Sequence, residues 1–410
     1  MYIGYNILIG IPIILGVHAA LASQACDSFN TPKDVLECAL DFHPDLVRGK
    51  GSLKQADSLG DQAAQRPNPE LSARSLVGKN EGESITGHEI NLAHTFELGG
   101  KRSARIDKAN AEKDQISSEF LKTKEEVYIS ISKILYRIRQ VHAEIRTIDE
   151  ALDTFERIQK QFKVRPRLAP EQEVSLSVFQ LAEGDYKLRK ATLESEENAL
   201  ERSVEVAIGK EFPHSKESLL PPPQKSWPDL QVGSGEFRGS DFKVAVSELK
   251  NAQAEMEIAK GASWPDLKLG PSLQSQSQGS NQYLTYGVNL TLPLPLYQAN
   301  GGGRAVAAAG LMRAEQSLEL RKRELGQQRK MLFNQYQKSS KALKESVSLP
   351  DIEKKHKSVE RQFERGVISS SLVIEAHRQM VDFTKSQNEL ELNALESLWR
   401  LKALDGSLFE

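Results

Sequence analysis

A repeating pattern of apolar positions along residues 101–209 predicts two long α-helices. In the first helix, apolar side chains recur at alternating steps of four and three residues, which is the spacing of a coiled-coil seam. The seam consists of Val127, Ile131, Ile134, Ile138, Val141, Ile145, Ile148, Leu152, Phe155, Ile158 and Phe162. Because proline occurs in this stretch only at positions 166 and 170, we expect helices at about 101–162 and 171–208. A helix of that length extends roughly 90 Å and must therefore lie along other helices.

Shorter segments alternate apolar and polar residues with a period of two, which is typical of β-strands. The clearest example carries six apolar side chains on one face and mostly polar or small residues on the other. The apolar face consists of Leu284, Tyr286, Val288, Leu290, Leu292 and Leu294. We expect strands at about 69–78, 85–97, 265–275 and 283–294. A strand of 10–13 residues with one apolar face has the length and pattern of a strand in a membrane β-barrel, so this face is predicted to contact lipid.

The two halves of the chain repeat the same order of elements: helix, β-hairpin, long helix, turn, helix. Residues 68–71 correspond to residues 264–267, and the glycine-rich string 99–102 corresponds to 301–304. The predicted first repeat covers 23–209 and the second covers 240–405. In the second repeat we expect long helices at about 304–363, kinked or broken at Pro350, and at about 372–404. An extended linker rich in Pro and Gly (210–239) separates the repeats, and residues 406–410 form a tail.

Four strands in one chain predict an assembly of several chains. A barrel in lipid needs about eight strands at least, and open sheet edges are not tolerated there. The chain must therefore complete its sheet with other copies of itself, and the long helices would then pack side by side as a hollow cylinder.

The N-terminus predicts export from the cytoplasm. The segment Ile3–Val17 is almost continuously apolar and is followed by small residues ending in Ala22, so we interpret residues 1–22 as a cleaved signal peptide and not as a buried core helix. Cys26 and Cys38 would then reach an oxidising compartment, where they could form a disulfide. Lipidation of Cys26 is the alternative, although Ser23–Ala25 is a poor recognition sequence for it.

Composition excludes several classes of function. The 410 residues carry a formal net charge of −2, which leaves no overall basic surface for nucleic acid. The mean hydropathy of −0.46 suggests a soluble protein, but long polar helices would produce the same average around a few membrane strands. No motif brings together a nucleophile, a base and an orienting group, so we expect no enzyme activity. We also predict no cofactor and no metal site.

The ordered motifs resemble the TolC-type outer-membrane efflux channel family over about residues 32–405. The resemblance rests on Ala39-Leu40, Pro44–Leu46, Asn68–Leu71, Phe96–Arg102, Leu292–Tyr297, Leu349-Pro350, and Gly366 with Glu375-Ala376. The strings at Glu97–Arg102 and Leu292–Leu296 resemble most the branch that serves cobalt-zinc-cadmium pumps. The resemblance implies a homotrimer with a twelve-stranded barrel in the outer membrane and an α-helical tunnel in the periplasm. It also implies a periplasmic adaptor protein and an RND-type inner-membrane transporter as partners.

The resemblance assigns the gate of the channel to the turn between the last two helices. Its residues are Glu364, Arg365, Gly366, Leu372 and Glu375. Acidic residues often ring this constriction in the family, and Glu375 matches one such position whereas Leu372 replaces another. A weaker cation-selective ring is therefore expected.

The corresponding turn of the first half is basic and has no glycine. Lys163, Arg165 and Arg167 lie between or beside two prolines, and we expect these three residues to contact the adaptor.

The sequence therefore favours a passive exit duct of a tripartite efflux pump, with heavy-metal cations as the expected cargo. Drug efflux and type I protein secretion remain open, because the inner-membrane partner and not the tunnel selects the cargo. A periplasmic coiled-coil protein without a pore is the alternative of a different class. Such a protein has no need of the strand at 283–294.

Overall fold

In the computed structural model, the described residues are 26, 29–80, 82–213, 216–230, 237–347 and 349–409. The predicted signal peptide lies outside them and stays a prediction. The elements in chain order are α1 (Pro32–Phe42), α2 (Pro44–Ala64), β1 (Glu70–Asn80), β2 (Glu83–Phe96), α3 (Lys101–Lys163), α4 (Pro170–Ile208), α5 (Ser240–Gly261), β3 (Leu267–Gln278), β4 (Asn281–Thr291), α6 (Gly301–Glu345), α7 (Leu349–Glu364) and α8 (Ser370–Asp405). The mainly helical fold with a duplicated helix–hairpin–helix–helix unit is thus confirmed.

Helix α3 is the central element of the helical part. All eleven apolar seam positions predicted on it are buried or half-buried. A second buried stripe includes the polar residues Gln140, Glu144, Thr154 and Gln159, because α3 contacts α2, α4, α5 and α8 on different sides. The polar residues of this stripe face neighbouring helices and not water, so they must find partners inside the bundle.

The two hairpins combine into one antiparallel sheet with the strand order β1-β2-β3-β4. The second strand of the first repeat pairs with the first strand of the second repeat, and Ile90 lies opposite Leu273 in that pairing. At this junction the backbones approach so closely that a Cβ atom on Gly270 would lie 1.7 Å from the carbonyl oxygen of Leu92. Glycine at position 270 therefore permits the two repeats to share a sheet.

Two predicted elements end earlier than their sequence pattern suggests. Strand β4 ends at Thr291, so Leu292 and Leu294 lie beyond the strand in an irregular segment. The prolines at 293 and 295 explain this end, because proline has no N–H group for the ladder. The single helix expected at 304–363 is instead two helices, α6 and α7, and Pro350 is the second residue of α7, where its fixed φ is favourable.

The glycine-rich string of the first repeat forms the turn from sheet to helix at Gly99 and Gly100, whereas in the second repeat the string begins helix α6 at Gly301. Gly99 and Gly100 have φ angles of 74° and 72°, and a Cβ atom on Gly99 would lie within 2.8 Å of the Trp264 side chain. The ammonium group of Lys101 lies 2.6 Å from a carboxylate oxygen of Asp266. The glycine-rich string of the first repeat therefore contacts the segment 264–266 that leads into the hairpin of the second repeat.

The linker between the repeats is extended over residues 221–230 and is packed against the helices. Trp227 is buried beside Tyr336 of α6, and the Tyr336 hydroxyl donates to the carbonyl oxygen of Pro228 at 2.6 Å. The amide of Gln224 donates to Glu391 of α8 at 2.8 Å.

At the N-terminal end of the described chain, the structure pairs Cys26 with Cys38 of α1 in a disulfide. Cys38 is fully buried and belongs to an apolar cluster formed with α3 and with the end of α4. The disulfide attaches the start of the chain to this cluster. Lipidation of Cys26 is not tested by this pairing and stays an alternative.

Candidate channel surfaces

The strand register places most of the apolar residues of the four strands on one face of the sheet. Directly paired residues in an antiparallel sheet share a face, so the face can be followed from strand to strand: Leu71, Ala73 and Val77 in β1, Ile90, Leu92 and Phe96 in β2, Leu267, Leu269, Pro271 and Leu273 in β3, and Leu284, Tyr286, Val288 and Leu290 in β4. Most of them are exposed in the single chain, including Tyr286 at 77% and Val288 at 75%. An exposed apolar surface of this size indicates a contact with a membrane or with another protein.

The opposite face of the sheet is mostly polar. It carries, among others, Arg74, Asn91, Ser272, Thr285 and Asn289, which the same register places on this face. The outermost strands, β1 and β4, each pair on one side only. A segment of a larger barrel would have the same two features, namely one apolar and one polar face and an open edge on each outermost strand.

None of the helices in the described part of the chain is both long and apolar enough to cross a bilayer.

The turn between α7 and α8 lies at the far end of the helices from the sheet. Gly366 has a φ of 72°, its amide donates to Phe363, and the amide of Val367 donates to Gln362 at 3.0 Å. These two bonds form a Schellman motif, in which glycine adopts the left-handed conformation with no steric cost. The predicted gate residues Glu364, Arg365 and Gly366 are exposed in this turn.

The two other predicted gate residues lie in the first turns of α8. Leu372 is 53% exposed. Glu375 accepts hydrogen bonds from the guanidinium of Arg378 at 2.7 and 2.9 Å and from Gln379 at 2.8 Å. The bonds with Arg378 and Gln379 lower the pKa of Glu375, so the carboxylate is ionised, but Arg378 compensates its charge.

The first-half turn brings the predicted basic residues to the same end of the molecule. Lys163 ends α3, and Arg165 and Arg167 are exposed in the turn that leads to Pro170, the first residue of α4. The Arg165 guanidinium lies 5.8 Å from the centre of the Phe162 ring. The Ser370 hydroxyl donates to Ser175 at 3.1 Å, which joins the two helical hairpins near their tips.

A buried polar network between α3, α4 and α8 was not predicted from the sequence. Arg137 donates to Glu144 at 2.8 Å and to Glu196 at 2.7 Å, and Asn388 of α8 donates to Glu144 at 2.8 Å. Burial opposes the charge on Arg137, but the bonds with Glu196 and Glu144 outweigh it and raise the pKa of the guanidinium. The polar positions on α3 are scattered among its apolar seam, so their spacing alone does not predict which partners they meet.

A second feature missed from the sequence is a cluster of His356, Glu360 and His377, in which one nitrogen or oxygen atom of each side chain lies within 4.8 Å of those of the other two. No metal ligands are predicted from the sequence. The spacing of His356 and Glu360, four residues apart on one helix, was a signal that could have indicated half of this cluster.

Comparisons with known proteins agree with this architecture. Residues 238–407 match the family model described as outer membrane efflux protein. The cobalt-zinc-cadmium resistance protein CzcC of Cupriavidus metallidurans is 24% identical over 376 residues, which cover 89% of this chain and 84% of that protein.

Solved structures share the fold along nearly the whole chain. The outer-membrane channel OprN superposes with a TM-score of 0.71 at 15% identity and covers 93% of this chain and 91% of its own. CusC superposes with a TM-score of 0.69 at 12% identity and covers 92% of both chains. The second repeat thus matches the outer membrane efflux protein family, and the whole chain has the fold of solved outer-membrane channels, in agreement with the predicted resemblance to TolC-type efflux channels.

Proposed function

We propose that the protein is the exit duct of a tripartite efflux pump and that its cargo is heavy-metal cations. The observation that carries the proposal is the four-stranded sheet, with one apolar face, one polar face and two open edges, at one end of a bundle of long helices. Such a sheet is a segment of a barrel and needs lipid on its apolar face. The helices on the periplasmic side would then continue the pore as a tunnel, and a passive duct of this kind needs no catalytic residues.

The open edges support a homotrimer. In lipid, the unpaired backbone groups of β1 and β4 would cost several kcal/mol each, so β4 of one copy would pair with β1 of the next. Three copies of four strands make a closed barrel of twelve, which lies within the size range of membrane barrels. Purified protein is expected to migrate as a heat-modifiable trimer, and a monomeric soluble periplasmic species would contradict the proposal.

The proposed cargo is supported by the relative from C. metallidurans, whose name refers to cobalt, zinc and cadmium resistance. A strain without this gene, grown on graded cobalt, zinc, cadmium and copper and on a panel of drugs, tests the cargo directly. We expect hypersensitivity to metals and its reversal by the wild-type gene. Hypersensitivity to drugs alone, or a defect only in protein secretion, would overturn the metal assignment and leave the duct intact.

Val288→Arg is expected to prevent assembly in the outer membrane. Val288 lies in the middle of β4 on the apolar face, and arginine near the middle of a bilayer costs about 2–4 kcal/mol in each chain. The measurement is the amount of heat-modifiable trimer in outer-membrane fractions. Thr285→Arg on the polar face of the same strand is the matched control, and an equal loss in both variants would contradict the assigned orientation.

The pair of Glu375 and Arg378 is expected to set the ion preference of the gate. Because Arg378 compensates the carboxylate, Arg378→Gln should increase cation preference, whereas Glu375→Gln should decrease it. Reversal potentials across a bilayer with reconstituted protein measure both shifts. Glu319→Gln on α6 removes the acidic partner of another pair with the same spacing, formed with Lys322, and should leave the potential unchanged. Strong cation preference that survives Glu375→Gln would show that this residue does not form the ring.

The basic turn is expected to contact the adaptor. Reversing two exposed charges with Arg165→Glu and Arg167→Glu should weaken adaptor binding and reduce its dependence on salt, since complementary charge mainly increases the association rate. Binding of the purified adaptor to trimers provides the measurement. Arg304→Glu, an exposed position at the sheet end of α6, is the control. Equal affinity of the tip variant and the control would contradict the assigned contact.

A further inference from the structure

His356 and Glu360 of α7 and His377 of α8 form a connected polar cluster beside the turn that joins these helices. The Nε2 atom of His356 lies 3.0 Å from the Nδ1 atom of His377. The other ring nitrogen of His377, Nε2, lies 3.3 Å from Oε1 of Glu360. Helix spacing brings His356 and Glu360 to the same face of α7, and the reversal of the chain at residues 365–369 brings His377 opposite them.

The cluster is shielded from water by apolar side chains. His356 is 8% exposed and His377 is 2% exposed. The ring of His377 packs edge-on against Phe155 of α3 with 5.2 Å between the ring centres. Nε2 of His377 is buried without a well-oriented hydrogen bond among the described residues. Buried polar groups are costly unless they are hydrogen-bonded or coordinate a metal ion.

We propose that His356, Glu360 and His377 bind a divalent transition-metal ion of the zinc or cobalt class. Two imidazoles and one carboxylate are a ligand set that such ions accept, with a water molecule as the fourth ligand. In a tetrahedral zinc site the ligand atoms lie about 3.3 Å apart, since metal–ligand bonds are about 2.0–2.1 Å. The separation of 3.0 Å between Nε2 of His356 and Nδ1 of His377 is close to that value. The Glu360 carboxylate contacts the other ring nitrogen of His377, so a side-chain rotation of Glu360 or His377 is needed to direct one atom of each residue to a common centre.

Neighbouring side chains hold the carboxylate in place for this role. The Thr154 hydroxyl of α3 donates to Oε1 of Glu360 at 2.8 Å, and a guanidinium nitrogen of Arg157 lies 4.0 Å from Oε2. Outer-shell partners of this kind orient metal ligands. A bound ion would link α7 to α8, and through Thr154 to α3, close to the proposed gate.

The site does not depend on the cargo proposed above, because a resident ion that joins two helices is separate from ions that pass through the pore.

Of the two three-residue clusters found in the described part of the chain, this is the one with two histidines. The other consists of His142, Glu197 and Glu201, and His142 contacts Glu197 at 2.6 Å. It therefore provides a matched control.

The test uses the full-length protein, purified in detergent and freed of metal with a chelator. Titration with Zn²⁺ should give one saturable site per chain, and Co²⁺ should give the visible absorption bands of a tetrahedral imidazole complex. His356→Ala and His377→Ala should abolish both signals. Thr154→Val, which removes only the bond to Glu360, should weaken binding about 10–100-fold.

Because His377 is buried, its replacement could impair folding, so Glu360→Gln provides a second variant that keeps the side-chain shape. It should lose the ion while its circular dichroism stays that of the wild type. His142→Gln should bind as tightly as the wild type. Absence of a one-per-chain site in the wild type, or binding that is lost in His142→Gln and kept in Glu360→Gln, would overturn the proposal.

Discussion

Phe155→Ala is expected to destabilise the helical part by about 3–5 kcal/mol, the usual cost of removing a large aromatic side chain from a core. Phe155 is fully buried and contacts three other rings: Phe179 and Tyr186 of α4 at 5.6 and 5.3 Å between ring centres, and His377 of α8 at 5.2 Å. Together with Phe155 these rings come from three helices, so no single helix can move in to close the cavity that alanine would leave.

The measurement for Phe155→Ala is denaturant unfolding of the purified trimer, followed by circular dichroism. Phe409→Ala is the matched control, because Phe409 is 43% exposed and contacts mainly Tyr128 and Lys124. The control should lose much less stability. Equal losses in the two variants would show that the contacts between α3, α4 and α8 do not determine stability.

Arg137→Met is expected to lower the free energy of unfolding by a similar amount, about 3–5 kcal/mol, but by a different mechanism. Removal of one partner from a buried ionic network leaves the others charged and uncompensated. Arg137 is the only cation hydrogen-bonded to both Glu144 and Glu196 among the described contacts, and the side chain of Glu144 is only 4% exposed. Methionine fills most of the arginine volume, so the loss should come from charge and hydrogen bonding.

The control for Arg137→Met is Arg48→Met. Arg48 is 75% exposed and pairs with Asp45 on α2, and exposed pairs contribute at most about 1 kcal/mol. The same unfolding measurement compares the two variants. A loss in Arg137→Met no larger than that in Arg48→Met would contradict the role of the network.

The network also predicts how stability changes in acid. Arg137 lowers the pKa of Glu196 from its ordinary value of 4.5. A carboxylate with a lowered pKa in the folded state contributes stability above its unfolded pKa, and that contribution is lost as the pH falls through the folded pKa. Unfolding curves below pH 4.5 should therefore depend less on pH in Arg137→Met than in the wild type.

Local patterns predicted the elements well because each pattern reports on a few neighbouring residues. The seam from Val127 to Phe162 required only the spacing of one helix, and none of its side chains is exposed. The predicted end of strand β4 was wrong because prolines interrupt the backbone hydrogen bonding there. Leu292 and Leu294 continue the alternation of β4, yet the prolines beside them end the strand at Thr291.

The sequence by itself determined the helices, the strands, the duplication and the resemblance to TolC-type channels, because periodicity and repeated motifs are properties of the chain in order. Only the tertiary structure decided which distant residues meet. The pairing of Ile90 with Leu273, the bond from Asn388 to Glu144 and the approach of His377 to His356 depend on how whole helices and strands pack. No local period encodes such contacts, since the same polar residue could face water or any neighbouring helix until the bundle is assembled.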